Sequence, residues 1–95
     1  MMEISRDEHG KKGAFYIEKD GEWIAEMTYV KTGEGEITID HTEVDESFRS
    51  EGIGEQLVAE GVKFARENNL RVVATCPFTR KVINDTPEFH DVLAD

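Results

Sequence analysis

HTEVDESFRSEGIGEQLV, residues 41–58, contains two glycines, Gly52 and Gly54, at the point where the spacing of apolar residues changes. Before this stretch apolar side chains alternate, as in a β-strand, and after it they recur every three or four residues, as in an α-helix. The stretch therefore predicts a strand, a turn and a helix in succession. Glycines in such a turn indicate a flexible connection, close backbone packing, or free N–H groups that face an anion.

The helix is predicted from Gly52 to about Asn68. Its apolar stripe follows helical spacing and contains Gly54, Leu57, Val58, Gly61, Val62 and Ala65. The next segment, LRVVATC at residues 70–76, predicts a buried strand. Strand, helix and strand together indicate a βαβ unit with a parallel pair of strands.

The N-terminal half predicts antiparallel strands. Two runs rich in β-branched and aromatic residues, Ala14–Glu18 and Glu22–Val30, flank Lys19-Asp20-Gly21, which is typical of a hairpin turn. The opening MMEIS, residues 1–5, is predicted to add a short edge strand.

The third strand of this meander is ITIDHTEV, residues 37–44. Strict alternation predicts that Ile37, Ile39 and His41 share one face. Val44 falls on the opposite face, which predicts a β-bulge or the end of the strand at residues 42–44.

The C-terminal region predicts two short helices, PFTRKVIND at residues 77–85 and, more weakly, TPEFHDVLAD at residues 86–95. Pro77 suits the first position of its helix, as Pro87 does after a Thr86 cap. The predicted fold is α/β, with a mixed sheet built from an antiparallel meander and a βαβ unit, in one domain over residues 1–95.

Composition excludes several classes of protein. The chain has 95 residues and a formal net charge of −10, with 21 acidic and 11 basic residues, which argues against nucleic-acid binding. No apolar run is long enough for a membrane span or a signal peptide, so a cytoplasmic protein is expected. The single cysteine rules out an internal disulfide, and no Cys/His spacing predicts a metal site.

The glycines lie between a strand and the first turn of a helix, where unpaired N–H groups and the helix dipole favour an anion. A dinucleotide-binding fingerprint would need a third glycine at Leu57, and a P-loop would need Gly-Lys-Ser/Thr. Neither is present, so Arg-x-x-Gly-x-Gly belongs to a different phosphate-binding pattern.

Residues 49–54, RSEGIG, resemble the Gln/Arg-x-x-Gly-x-Gly/Ala loop of the GCN5-related N-acetyltransferases. DHTEVDESFRSEGIGEQLV followed by ATCPF is similar to a minimal, YjdJ-like subgroup with one cysteine. The resemblance implies that acetyl-CoA is the cosubstrate, that loop amides bind its pyrophosphate, and that Val44 offers backbone groups to pantetheine. The cofactor-binding residues it implies are Val44, Arg49, Glu51, Gly52, Ile53 and Gly54, with no metal.

The sequence also departs from larger members of this family. They place helices between their first two strands, and this chain has no room for them, which predicts an open acceptor side. They often use a tyrosine beyond the fifth strand as a general acid, whereas the tyrosines here are Tyr16 and Tyr29. The usual general acid is therefore missing.

Cys76 is the candidate to replace it. At the start of a helix the dipole lowers the pKa of a thiol, whereas acidic surroundings raise it, so the sequence leaves the net direction open. The alternative is a small buried core residue. His41 is predicted to lie opposite Cys76 as a base for the thiol or the amine, while Trp23, Phe64 and Phe78 are predicted to be core residues.

The predicted function is transfer of an acetyl group to an amine, either a small molecule or a protein lysine. Direct attack of the amine and transfer through acetyl-Cys76 both fit the residues, and the missing tyrosine favours the second route. The alternative is a non-catalytic CoA-binding or protein-interaction module. Neither the acceptor nor the oligomeric state follows from the sequence.

Overall fold

The computed structural model describes residues 3–94, which form strands, α-helices and 3-10 segments. The strands are β1 (Ser5–His9), β2 (Lys12–Lys19), β3 (Glu22–Gly33), β4 (Glu36–Val44) and β5 (Arg71–Ala74). The helices are α1 (Ile53–Glu67) and α2 (Pro77–Asn84), with 3-10 segments at Glu46–Glu51 and Pro87–Val92.

The strands form one sheet in the order β1-β2-β3-β4-β5. β1 to β4 pair antiparallel, and β5 joins parallel to β4 after the α1 crossover. The predicted α/β fold, with its meander and βαβ unit, is therefore confirmed. Asp20 and Gly21 both have positive φ, 53° and 82°, as a two-residue hairpin turn between twisted strands requires.

The edge strand begins where the predicted strand, residues 1–5, was expected to end. It runs from Ser5 to His9, while Met1 and Met2 of the predicted MMEIS strand lie outside the described residues. Ser5 pairs with Tyr16 and His9 with Lys12 across a tight turn. Because its residues are mostly charged and exposed, this strand shows no apolar alternation in the sequence.

The β-bulge exists, but it lies at Asp40 rather than at residues 42–44. Thr28 on β3 pairs with His41 on β4, and Tyr29 pairs with Ile39, so Asp40 is the extra residue. Beyond a bulge the alternation is shifted by one residue. His41 is consequently exposed on the face opposite Ile39, and the prediction that it shares the face of Ile37 and Ile39 is wrong.

The core lies between α1 and one face of the sheet. Leu57, Val58 and Val62 of α1 are fully buried. A Cβ at Gly61 would lie 2.6 Å from the Met27 Cε, so this glycine lets the helix approach β3 closely. Among residues 3–94, no helix is both long and apolar enough to cross a membrane.

The other face of the sheet carries an aromatic pair. Trp23 is 45% exposed, and its ring stacks on Tyr16 with centroids 4.0 Å apart and planes 8° apart. The prediction that Trp23 is a core residue is therefore wrong. Phe64, by contrast, packs against the core as predicted.

Candidate active site

The parallel strands β4 and β5 separate part of the way along their length. They pair from Glu36 and Arg71 as far as Ile39 and Ala74. There the backbone N–H groups of Thr75 and Cys76 both donate to the Ile39 carbonyl, at 3.1 and 3.3 Å. The chain after β5 then turns into α2, whereas β4 continues to Val44, and a gap opens between them.

This gap holds a solvent-accessible cleft of about 350 Å³. Its volume is at the lower end of the range for small-molecule sites. The wall on one side is the end of β4, and the others are the start of α1 and the start of α2. The lining residues are Thr42, Glu43, Val44, Arg49, Gly54, Glu55 and Phe78.

The start of α1 explains both glycines. Gly52 has φ 72° and ψ 18°, a left-handed conformation that favours glycine, and a Cβ there would meet nothing within 4 Å. A Cβ at Gly54 would lie 2.6 Å from Phe78 Cζ, so the second glycine allows close packing on the cleft wall. The first turn of α1 has no side-chain cap, which leaves its N–H groups available to an anion.

The predicted cofactor-binding residues contribute unequally to the cleft. Val44, Arg49 and Gly54 line it, and the Arg49 Nε donates to the Val44 carbonyl at 3.1 Å. Ile53 is 3% exposed, so only its backbone can face a ligand. The roles of all six residues in binding the cofactor remain predictions.

Cys76 is the N-cap residue of α2, directly before Pro77, and it is 8% exposed. It does not line the cleft itself. Its Sγ lies 3.7 Å from the Oγ1 of Thr42, which does. The thiol is therefore separated from the cleft by one side chain.

The balance of interactions at Cys76 favours the thiolate. Burial raises the pKa of the thiol, but the N–H of Thr79, the hydroxyls of Thr42 and Thr79, and the N–H of Phe78 lower it more. The net effect places the pKa below its ordinary value. The direction that the sequence left open is thus a decrease, and local dipoles cause it.

His41 does not lie opposite Cys76. The bulge at Asp40 turns its side chain to the exposed face, where it pairs with Thr28 across the strands. Thr42 occupies the inward position instead. The predicted placement of His41 as a base for the thiol is therefore wrong.

Thr42, Thr79 and Phe78 were missed as site residues. Thr42 would have been found by placing the bulge at Asp40, since the shifted alternation then points it inward. Phe78 was predicted to be a core residue, but it is 39% exposed and forms part of the cleft wall. Its position directly after Pro77, at the start of α2, was the available signal.

A second cavity, of about 220 Å³, shares Glu43, Val44 and Arg49 with the cleft. Its other lining residues are Trp23, Ile24, Ala25, Glu26, Asp45 and Glu46. Four of the residues in this lining are acidic and one, Arg49, is basic. Within residues 3–94, no group of three or more His, Cys, Asp or Glu side chains is arranged to hold a metal ion.

Comparison with known proteins identifies the family of this chain. The family profile described as GCN5-related N-acetyl-transferase matches residues 14–92. Protein NATD1 of Danio rerio is 31% identical over 92 residues, which is 92% of this chain and 84% of that protein. Protein NATD1 of Xenopus tropicalis is 30% identical over 63 residues, and the match spans 66% of this chain but only 58% of that protein.

Solved structures with the same fold include two bacterial proteins. The solution structure of a GCN5-like N-acetyltransferase candidate from Staphylococcus aureus matches with a TM-score of 0.76 and 34% identity, over 98% of this chain and 88% of that one. A Bacillus subtilis acetyltransferase solved in complex with CoA has a TM-score of 0.70 at 13% identity, over 90% of this chain and 74% of that one. This chain therefore belongs to the GCN5-related N-acetyltransferase family.

Proposed function

We propose that this protein is an N-acetyltransferase that binds acetyl-CoA in the cleft between β4 and β5 and uses Cys76 in the transfer. The observation that carries the proposal is the separation of the two strands beside the uncapped start of α1. One end of the cleft thus suits a phosphate, and the other end lies next to a thiol.

The residues of the cleft fit acetyl-CoA in kind. N–H groups of the first turn of α1 and the Arg49 guanidinium would hold its phosphates. The backbone at Val44 and the exposed ring of Phe78 would hold the pantetheine arm. Acetyl-CoA itself supplies the thioester, whose carbonyl carbon is the electrophile.

Cys76 is the group proposed to react. Its thiolate attacks the acetyl carbonyl, so that a new carbon–sulfur bond forms and the CoA thiolate leaves. An amine then attacks acetyl-Cys76, an amide bond forms, the Cys76 thiolate is released and the proton of the amine passes to water. In the direct alternative, the amine attacks acetyl-CoA, an amide bond forms and Cys76 donates its proton to the leaving CoA sulfur. The proton of the amine passes to water, and the Cys76 thiolate takes a proton back from water.

The positions of the tyrosines support a role for Cys76. Tyr29 is 1% exposed and its hydroxyl donates to Glu8, while Tyr16 stacks on Trp23. Neither tyrosine lines the cleft. The proposal assigns no role to His41, because it is exposed on the other face of the sheet.

Mass spectrometry of the protein after incubation with acetyl-CoA tests the proposal. We expect one acetyl group on the peptide that contains Cys76, and steady release of CoA once an amine is added. Release of CoA without the adduct would favour direct transfer. Binding of CoA without release in the presence of any amine would contradict the enzymatic proposal and favour a CoA-binding module.

The acceptor is proposed to be a cationic amine, either a small molecule or the lysine of a protein. The acidic cavity beside the cleft supports this choice, since acidic residues attract cations and raise their local concentration. Glu26 and Glu43 lie directly opposite each other on β3 and β4, and like charges in that position destabilise a sheet. A role in binding cations would explain why both are present.

We expect turnover of spermidine and of a lysine peptide to exceed that of a matched acidic peptide. The difference should shrink as salt increases, because salt screens exposed charges. The double variant Glu26→Gln/Glu43→Gln should reduce the preference and raise the melting temperature. Glu67→Gln, at the far end of α1, is the control and should change neither. Equal rates for all amines at low salt would contradict electrostatic selection.

A further inference from the structure

The hydroxyls of Thr42 and Thr79 connect the Cys76 thiol to the buried side of α2. The Thr42 Oγ1 lies 3.7 Å from the Cys76 Sγ and 3.0 Å from the Thr79 Oγ1. Thr79 is fully buried. The three groups thus form a hydrogen-bonded chain that runs from the helix to the sulfur.

Packing alone does not require hydroxyl groups at these two positions. Valine has nearly the shape of threonine, and a buried hydroxyl costs free energy unless it is hydrogen-bonded. Thr42 and Thr79 are hydrogen-bonded to each other, so valine at both positions would leave neither hydroxyl unpaired and should change stability little. Outside this pair, the Thr42 hydroxyl accepts a hydrogen bond from the Cys76 thiol.

We infer that Thr42 and Thr79 are positioning residues that orient the Cys76 side chain and supply a hydrogen bond to its thiolate. The inference rests on the proposed function only for its consequence in catalysis. A hydroxyl carries one donor and two acceptor lone pairs, so the chain can reverse its direction.

The direction of the hydrogen bonds along Cys76, Thr42 and Thr79 differs between the neutral thiol and the thiolate. In the neutral state the Cys76 S–H donates to Thr42. When the proton leaves to water, the Thr42 hydroxyl turns to donate to the sulfur, and the Thr79 hydroxyl donates to Thr42. Thr42 and Thr79 therefore hold a hydrogen-bond donor at a fixed position next to the thiolate.

Charged side chains near Cys76 are directed to other partners. On α2, the Arg80 guanidinium donates to the Ala74 carbonyl, and Lys81 pairs with Asp85 at 2.8 Å. The other titratable groups of β4 are Glu36, Asp40, His41 and Glu43. Glu43 lines the cleft together with Arg49 and Glu55, and the Arg49 guanidinium donates to the Val44 carbonyl. No charged side chain of the described residues is hydrogen-bonded to the sulfur, whose side-chain hydrogen bond is to the Thr42 hydroxyl.

Alkylation of Cys76 by iodoacetamide in the absence of acetyl-CoA tests the inference. The rate is followed by mass spectrometry at a series of pH values. At pH 7 we expect Thr42→Val to react roughly tenfold more slowly than wild type, since hydrogen bonds to a charged group are among the stronger ones. The limiting rate at high pH should be unchanged. Thr42→Ser should behave as wild type, and Thr75→Val is the matched control, because Thr75 adjoins Cys76 but bonds to the Ile39 carbonyl.

The double variant Thr42→Val/Thr79→Val leaves no unpaired hydroxyl, and it replaces Thr42→Val if the single variant does not fold. An alkylation profile like that of wild type in either folded variant would overturn the inference, as would an equal shift in Thr75→Val. In acetyl transfer, Thr42→Val should lower kcat with little change in KM for acetyl-CoA. An alkylation shift without acetyl transfer by wild type would support the inference and refute the proposed function.

Discussion

Cys76→Ala is expected to abolish acetyl transfer while leaving the affinity for CoA within roughly threefold of wild type. The thiol lies behind Thr42 and does not line the cleft, so its removal takes nothing from the groups proposed to hold the phosphates and pantetheine. Loss of the reacting group should lower kcat by roughly 100-fold or more. The rate of amine acetylation and calorimetric titration with CoA measure the two quantities.

Cys76→Ser is the size-matched control for this variant. Serine keeps a hydroxyl that can pass a proton but is a poor nucleophile at neutral pH. Residual activity in Cys76→Ser that is absent from Cys76→Ala would therefore favour direct transfer with Cys76 as the acid. Full activity in Cys76→Ala would remove the thiol from the mechanism altogether.

The proposed attack by Cys76 also predicts how the rate of its acetylation changes with pH. Attack requires the thiolate, and the N–H groups and hydroxyls around Cys76 place its pKa below the ordinary value. The rate of Cys76 acetylation should therefore rise with pH, and the midpoint of that rise should lie below the ordinary pKa of a cysteine, about 8.5. A midpoint at or above that pH would contradict the stabilisation of the thiolate.

The order of the elements could be predicted from the sequence because each depends on local chemistry. The period of apolar residues located α1, and Asp20-Gly21 located the hairpin turn. The edge strand β1 could not be placed, because its charged residues carry no periodic signal. It is held in the sheet through pairing with β2, which is a tertiary interaction.

The site was predicted only in part, because one portion of it is encoded locally and the other depends on the register of the strands. The Gly52 and Gly54 turn is encoded locally, so the anion-binding start of α1 could be inferred. The bulge at Asp40 depends on the register of β3 against β4, and an error of one residue exchanges the two faces of a strand. That error assigned the inward position to His41, when it belongs to Thr42.

Gly54→Val is expected to weaken CoA binding by roughly tenfold or more, since a branched side chain would fill the cleft where the backbone is open to a ligand. A Cβ at this position also lies 2.6 Å from Phe78 Cζ, so the Phe78 ring must turn away. Because Phe78 is 39% exposed, the ring can move into solvent, and the melting temperature should change little. Calorimetric titration and a thermal transition measure the two effects.

Two further variants separate the causes of this loss. Gln56→Val places the same β-branched residue on an exposed position of the first turn of α1, and it should leave CoA affinity unchanged. Phe78→Ala removes the ring that Gly54→Val displaces. If Phe78→Ala alone weakens CoA binding as much as Gly54→Val does, the aromatic wall of the cleft rather than the open backbone accounts for the effect. If Gly54→Val binds CoA as wild type does and remains folded, the start of α1 is not the phosphate site, and the cleft between β4 and β5 loses its assigned ligand.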